Sequence, residues 1–416
     1  MENNRNFIKN FIILFSGNAI SQIIPIILAP FLARFFSPEE FAIQGNFIAL
    51  ASLIAIIAGG RYDIAIILPK SEKKAVNLTL LAARITIAVS ILSLTLIFFE
   101  GQIAKLYNNK SLSDYLILIP ISILILGFNS IYNQWLTRSK EYKKIARIKI
   151  FLSLSLNLTT ICFGVLNYGE KGLIWGWLIG TTVANIILFL TFRKSYNKEL
   201  IDKRTIKGLA IEYKDFPMIN SLHAFTDLFF SQFLLFAIIT RGFGAVHLGL
   251  FYMMAKYLKA PVRLISGSVG QLYYREANEQ LINKKSVSII FRHSLKTTLF
   301  FAFPFLVVVL FFAPVIFKLY LGDQWESSGN YAQIMAFPIF LSFLTSPVSS
   351  TTILYRKQKT AFIISLIGYL ISILALYYGI VNNYNFIESL KIYAIAQSLY
   401  YSTLLLWYYK LTHQVL

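Results

Sequence analysis

The chain has 416 residues, 56% of them hydrophobic and only 14% charged, against about 25% charged in an ordinary soluble domain. So much apolar surface cannot be hidden in one globular core, so lipid must solvate most of it. The net charge of +20 does not point to nucleic acid, because the Lys and Arg stand between apolar runs, where a membrane protein places them.

In chain order, Arg5 and Lys9 precede an apolar stretch at 11–33. It is too long for the core of a cleaved signal, about 7–15 residues, and reads as a first spanning helix. A bilayer core needs roughly 20 apolar residues per helix. Eleven further stretches meet that length, at 41–60, 77–99, 114–136, 146–166, 172–192, 217–239, 246–271, 297–319, 331–354, 360–381 and 387–409. The expectation is an all-α membrane protein of about twelve transmembrane helices. The eighth is the most interrupted, by Lys256, Lys259 and Arg263.

With the N-terminus in the cytoplasm, 28 of the 39 Lys and Arg fall in cytoplasmic segments, 7 outside and 4 within spans. That alternating bias is what the positive-inside rule requires, and it puts both termini in the cytoplasm. The outer loops are short, the longest being near Glu100–Ser113. The cytoplasmic connection 193–216 carries Ile201, Ile206, Leu209 and Ile211 among charges and reads as a surface-lying amphipathic segment. It separates an N-lobe, 1–192, from a C-lobe, 217–416. A weak parallel repeat sets Arg34 on Arg241, Phe36 on Phe243, Phe41 on Leu248 and Gly60 on Gly267. Transporters commonly use such repeats.

The single cysteine, Cys162, lies in an apolar run. It offers neither a disulfide nor a Cys/His metal site and reads as a small buried side chain. Asn18/Gln22 and Asn129/Asn133, each spaced by four, suit helix–helix contacts better than substrate contacts. Pro25, Pro30, Pro304, Pro314, Pro338 and Pro347 lie in or beside spans and mark expected kinks.

Ionisable groups inside spans are costly and generally face protein or water. Lys256, Lys259 and Arg263 fall within about 60° on one helical face, a stripe extended by Tyr252 and Gly267. It either receives an anion or snorkels and pairs with a carboxylate. The sole acid well inside a span is Asp227, with His223 one turn earlier. Counted from the turn at Phe243, Asp227 and Lys259 lie at similar depth and could pair, as a fixed bridge or as a pair that changes protonation. Arg84 lies about two turns into the third span. Arg61 and Asp63 close the second, where a local ion pair is the plain account. There is no Gly-rich phosphate loop, and no catalytic constellation faces the outside. An ATP-driven pump, an enzyme and a cofactor-dependent protein are therefore not expected. Short outer loops argue against a polymerase, ligase or glycosyltransferase.

Three stretches resemble a known family. They are Arg34-Phe-Phe-Ser-Pro-Glu-Glu-Phe41; Arg61-Tyr-Asp-Ile-Ala-Ile-Ile-Leu-Pro69; and Tyr213-Lys-Asp-Phe-Pro217 with Gly249-Leu-Phe-Tyr-Met-Met-Ala255, Pro261 and Gln271-Leu-Tyr-Tyr-Arg-Glu-Ala277. Over essentially the whole chain they resemble the oligosaccharide flippases of O-antigen and capsule synthesis, the Wzx-type branch of the multidrug/oligosaccharidyl-lipid/polysaccharide exporter superfamily. Ala42-Ile-Gln-Gly45 departs from the family, which usually has Gly soon after the Phe. The resemblance implies two MATE-like six-helix lobes around a central cavity in the bacterial inner membrane. It implies transport of a polyprenyl-diphosphate oligosaccharide to the outer leaflet. Lys256, Lys259, Arg263, Arg84 and Arg61 are candidates for the diphosphate, and Asp227 and His223 for coupling. Candidate partners are the lipid-linked substrate, membrane lipids, H+ or Na+, and polysaccharide polymerase machinery. A multidrug exporter of the same superfamily is the alternative. It is expected to carry acidic cavity residues, whereas cations dominate the spans here.

Overall fold

The computed structural model describes residues 2–109, 111–283 and 285–413, without the side chains of residues 2–15, 203 and 219. Arg5, Lys9, Lys110, Lys203, Lys284 and the two chain ends, all used in the orientation argument, therefore lie outside the described side chains or residues.

Among the described residues twelve long helical segments follow one another, with no strand. Helices 1 to 6 are Glu2–Phe35, Pro38–Ala58, Glu72–Leu92, Ile119–Arg138, Tyr142–Val165 and Gly169–Ser195. Helix 7 runs over Phe216–Phe243. Helices 8 to 12 are Ala245–Ile282, Ser288–Leu321, Glu326–Val348, Gln358–Val381 and Phe386–His413. Ten of these are long and apolar enough to cross a membrane. The other two are helix 8, with its three cations, and helix 12, rich in Tyr. They have 38 and 28 residues, so length does not limit them, since 20 residues rise about 30 Å. Their polar side chains do.

The chain forms two compact units, Met1–Ala245 and Val246–Leu416. The lobe boundary read from the sequence lies earlier, at 193–216. Helix 7 packs on helix 2 within the first unit, and Asn46 of helix 2 donates to Thr240 Oγ1 of helix 7 (3.2 Å). In the first unit helix 1 lies along helix 5 and helix 5 along helix 6. A Cβ on Gly180 would stand 2.4 Å from Leu156 Cα, so only glycine permits that approach of helices 5 and 6. In the second unit helix 9 pairs with helix 10, and helix 12 packs on helices 10 and 11.

The motif at Arg34–Phe41 is a helix start. Ser37 accepts from Glu40 N (3.4 Å) while Glu40 Oε2 accepts from Ser37 N (2.7 Å), a capping box with Pro38 in the first turn. It ties helix 2 closely to helix 1. The third span does not end in a plain loop. It tightens into a 3₁₀ stretch, Ser93–Phe99, and then a helix, Glu100–Tyr107. The repeat fails at one position. Gly60 closes helix 2 at φ 57°, whereas Gly267 continues inside helix 8.

Cys162 is exposed, which corrects the expectation of a buried thiol. Helix 5 buries only 22% of its apolar window inside the protein, so most of its face is left for lipid, and Cys162 falls there. The connector helix, Lys203–Glu212, buries Ile206 and Leu209 but exposes Ile211, and Ile201 just before it is exposed too. Its apolar residues are thus divided between two faces instead of forming one. Lys73–Asp202 and Lys74–Glu212 ion pairs, each 2.9 Å, fasten it to helix 3. Asn77 of helix 3 adds bonds to Leu200 O (3.0 Å) and from Asp202 N (2.9 Å).

Candidate functional site

In the second unit Lys256, Lys259 and Arg263 all lie on helix 8, Ala245–Ile282. Lys256 is half-buried, with Nζ 5.6 Å from the centre of the Tyr257 ring. Lys259 and Arg263 are exposed. Arg263 Nε donates to Lys259 O (3.3 Å), which steadies the guanidinium along the helix. Pro261 sits inside this helix. It has no N–H to give the carbonyl four residues back, so the Tyr257 carbonyl lacks its usual helical donor at the level of the cations. The Tyr257 hydroxyl is buried and has no partner in the structure.

In the first unit Arg61 leaves helix 2 in the left-handed conformation, φ 57°. Its Nε is buried without a hydrogen-bond partner. The local Arg61–Asp63 ion pair expected from the sequence is not formed. Asp63, 6% exposed, instead accepts from the Ser130 hydroxyl of helix 4. A buried carboxylate needs such donors, and a partner 67 residues away supplies this one. Arg84 is exposed on helix 3. Its neighbour Ile85 meets Gly60, where an added Cβ would stand 3.3 Å from Ile85 Cδ1. The Ile85 side chain, next to Arg84, thus packs on Gly60, next to Arg61.

Helix 7 contains a feature that the apolar pattern does not announce. It begins with a π-helical stretch, Phe216–Asn220, continues as α-helix over Ser221–Leu228, turns π-helical again over Phe229–Leu234 and ends as α-helix over Leu235–Phe243. π-Turns are uncommon and concentrate at functional sites. His223 and Asp227 both lie on the short α-segment between the two, one turn apart, with His223 exposed and Asp227 partly buried. Phe225, Phe229 and Phe233 stack in succession, at 6.0 and 5.5 Å between centroids. Asp227 belongs to the first unit and Lys259 to the second.

Other polar residues matter in ways not foreseen. Lys149, counted as a loop cation, lies within helix 5 and donates to Asn18 Oδ1 of helix 1 (2.8 Å). Ser153, one turn on, donates to Ser21 O (2.7 Å). Asn18 thus does join two helices. Asn133 instead donates back to Asn129 within its own helix (2.9 Å). Arg138, at the end of helix 4, reaches the carbonyls of Ile66, Ile67, Pro69, Lys70 and Ser71 and clamps the segment after the short turn Tyr62–Ala65. A guanidinium has five N–H donors, which suits it to this role.

This architecture is helical, with ten helices long and apolar enough to cross a membrane. It superposes with TM-score 0.72 on a multidrug resistance MATE family transporter of the MOP superfamily in an inward-facing conformation, at 13% identity, over 96% of this chain and 97% of the other. It superposes with TM-score 0.73 on the lipid II flippase MurJ in an inward closed conformation, at 19% identity, over 95% and 87%. The chain belongs to the polysaccharide biosynthesis protein family, which it matches over residues 31–330. An uncharacterized membrane protein in the cps region of Klebsiella pneumoniae is 20% identical over 358 residues, 85% of this chain and 72% of that one. The family resemblance read from the sequence and the MATE-like helical fold therefore stand.

Proposed function

We propose that the protein flips a polyprenyl-diphosphate-linked oligosaccharide, an O-antigen or capsule repeat unit, from the cytoplasmic to the outer leaflet of the bacterial inner membrane. It works by alternating access, coupled to an ion gradient, with both termini in the cytoplasm and with lobes of six helices either side of the connector. The observation that carries the reading is the stripe of Lys256, Lys259 and Arg263 on one face of helix 8, with two of the three exposed. Like charges 4 Å apart repel by about 4 kcal/mol at an effective dielectric near 20. Three cations on one face of a spanning helix attract an anion strongly where the dielectric is low. Lys259 offers a compact charge and Arg263 a planar fork that can hold phosphate oxygens two at a time. Arg61 and Arg84 form the corresponding cationic pair of the first unit. Asp227 and His223, on a segment bounded by irregular winding, are the coupling groups. The single carboxylate of Asp227 is one such group for H+ or Na+. The cation-rich spans favour an anionic lipid substrate over a cationic drug.

The test is flipping of a defined diphosphate-linked glycan in proteoliposomes, with and without imposed H+ or Na+ gradients. Lys259→Gln is expected to slow flipping about tenfold, the loss of one charge-assisted contact of roughly 1.5 kcal/mol. Lys259→Glu is expected nearly to abolish it, and Lys259→Arg to retain most of it at matched expression. Parental rates for both Lys256→Glu and the double variant Lys259→Gln/Asp227→Asn, which strands no charge, would overturn the assignment.

A further inference from the structure

The connector helix divides its side chains in a way that the transport reading does not use. Ile206 and Leu209 are buried, and Leu209 joins the buried cluster around Trp135 and Leu78 in the first unit. The acids at either end, Asp202 and Glu212, are held by Lys73 and Lys74 of helix 3. On the opposite side Arg204, Lys207 and Ile211 are exposed. At 100° per residue these three fall within about 60° of one another, with Ile211 between the two cations. Gly208 on the same side has nothing within 4 Å of where a Cβ would be. Ile211 is 62% exposed, and Met218, at the start of helix 7, is 68% exposed. Lys198 and Lys214 add exposed cations nearby, against exposed acids at Glu199 and Asp215.

An isoleucine between two cations on an outward face is poorly suited to water. It matches the boundary of a bilayer, where apolar side chains dip below the headgroups and cations meet phosphate. The two ion pairs neutralise the acids of this helix against the protein, so the face left outward is cationic. We infer that the outward face of the connector helix is a docking surface for anionic phospholipid headgroups, with Arg204 and Lys207 on the phosphates and Ile211 inserted between the lipids. This surface is separate from the helix 8 stripe, and its occupant is resident membrane lipid, not transported substrate. Because the inward face of the same helix is fastened to helix 3, lipid bound outside holds helix 3 and the segment after helix 2 in place.

The full chain carrying Cys162→Ala and Gly208→Cys, labelled with an environment-sensitive fluorophore, is placed in nanodiscs of phosphatidylcholine alone or with phosphatidylglycerol. Quenching by neutral acrylamide is then measured. The expected result is protection of the label only with phosphatidylglycerol, lost with Arg204→Gln/Lys207→Gln. Each cation near such a surface contributes a factor of about five, so the double variant weakens seating about 25-fold. Lys74→Gln, which loosens the inward face, serves as a control for simple undocking and should keep the dependence on lipid. Equal quenching in the two lipid compositions overturns the proposal, and so does protection that survives loss of both cations.

Discussion

The cations of helix 8 were legible because their spacing alone places them on one face, and spacing is a property of the sequence. Asp63 was not, since the hydroxyl that satisfies it comes from Ser130, 67 residues on, and no local pattern links the two. Lys149 misled for a related reason. It stands at the border between loop and span, and only its bond to Asn18 shows that it belongs inside. At this scale the sharpest expectation concerns Asp227. Asp227→Asn keeps the size of the side chain and removes the charge. It should abolish the response of flipping to an imposed ion gradient while leaving membrane insertion at parental levels, as read by quantitative membrane blots. A variant that responds to the gradient as the parent does would make Asp227 structural only.

Helices were the most legible elements, because a span must satisfy its backbone internally and be apolar for about 20 residues. Departures from regular winding were not. The two π-helical stretches of helix 7 leave no signature in hydropathy, and the turn Tyr62–Ala65 reads simply as the start of a loop. The connector helix was legible as amphipathic, but which isoleucines face the protein depends on helix 3. Its fastening can be tested by pH. Asp202 is held at about 2, chiefly by its bond with the Lys73 ammonium and further by Thr205 and Arg204 N–H. A carboxyl lowered in this way contributes to docking above its ordinary value, near 4, and loses that contribution as pH falls through about 2. The mobility of a spin label at position 208, in detergent, should therefore be unchanged from pH 7 to about pH 4. In Asp202→Asn it should be raised equally across that range. A parent that loosens near pH 4 would show that the Lys73 bond does not hold the carboxyl down.

For the whole molecule, the positive-inside bias and an even number of spans are the basis of the proposed topology. The division into units was less legible. Where helix 7 packs is decided by contacts such as Asn46 with Thr240, 194 residues apart, and not by the composition of the connector. Single cysteines at positions 200, 110 and 322 in a Cys162→Ala background test the topology in intact cells. Position 200 should be protected from an impermeant maleimide and the other two labelled. External labelling at 200 would reverse the orientation, and with it the proposed direction of transport.

The clamp made by Arg138 has a consequence for how the protein can vary. All five of its acceptors are main-chain carbonyls, groups that every amino acid carries. The clamp on the segment from Ile66 to Ser71 thus makes no reference to its side chains, and its exposed positions, Ile67, Leu68, Lys70 and Ser71, can drift as long as the path of the backbone is kept. Much of the sequence constraint on that junction is transferred to one distant position on helix 4, the buried Ile66 keeping its own. There even lysine, with a single nitrogen to offer, could not span the carbonyls that the guanidinium reaches.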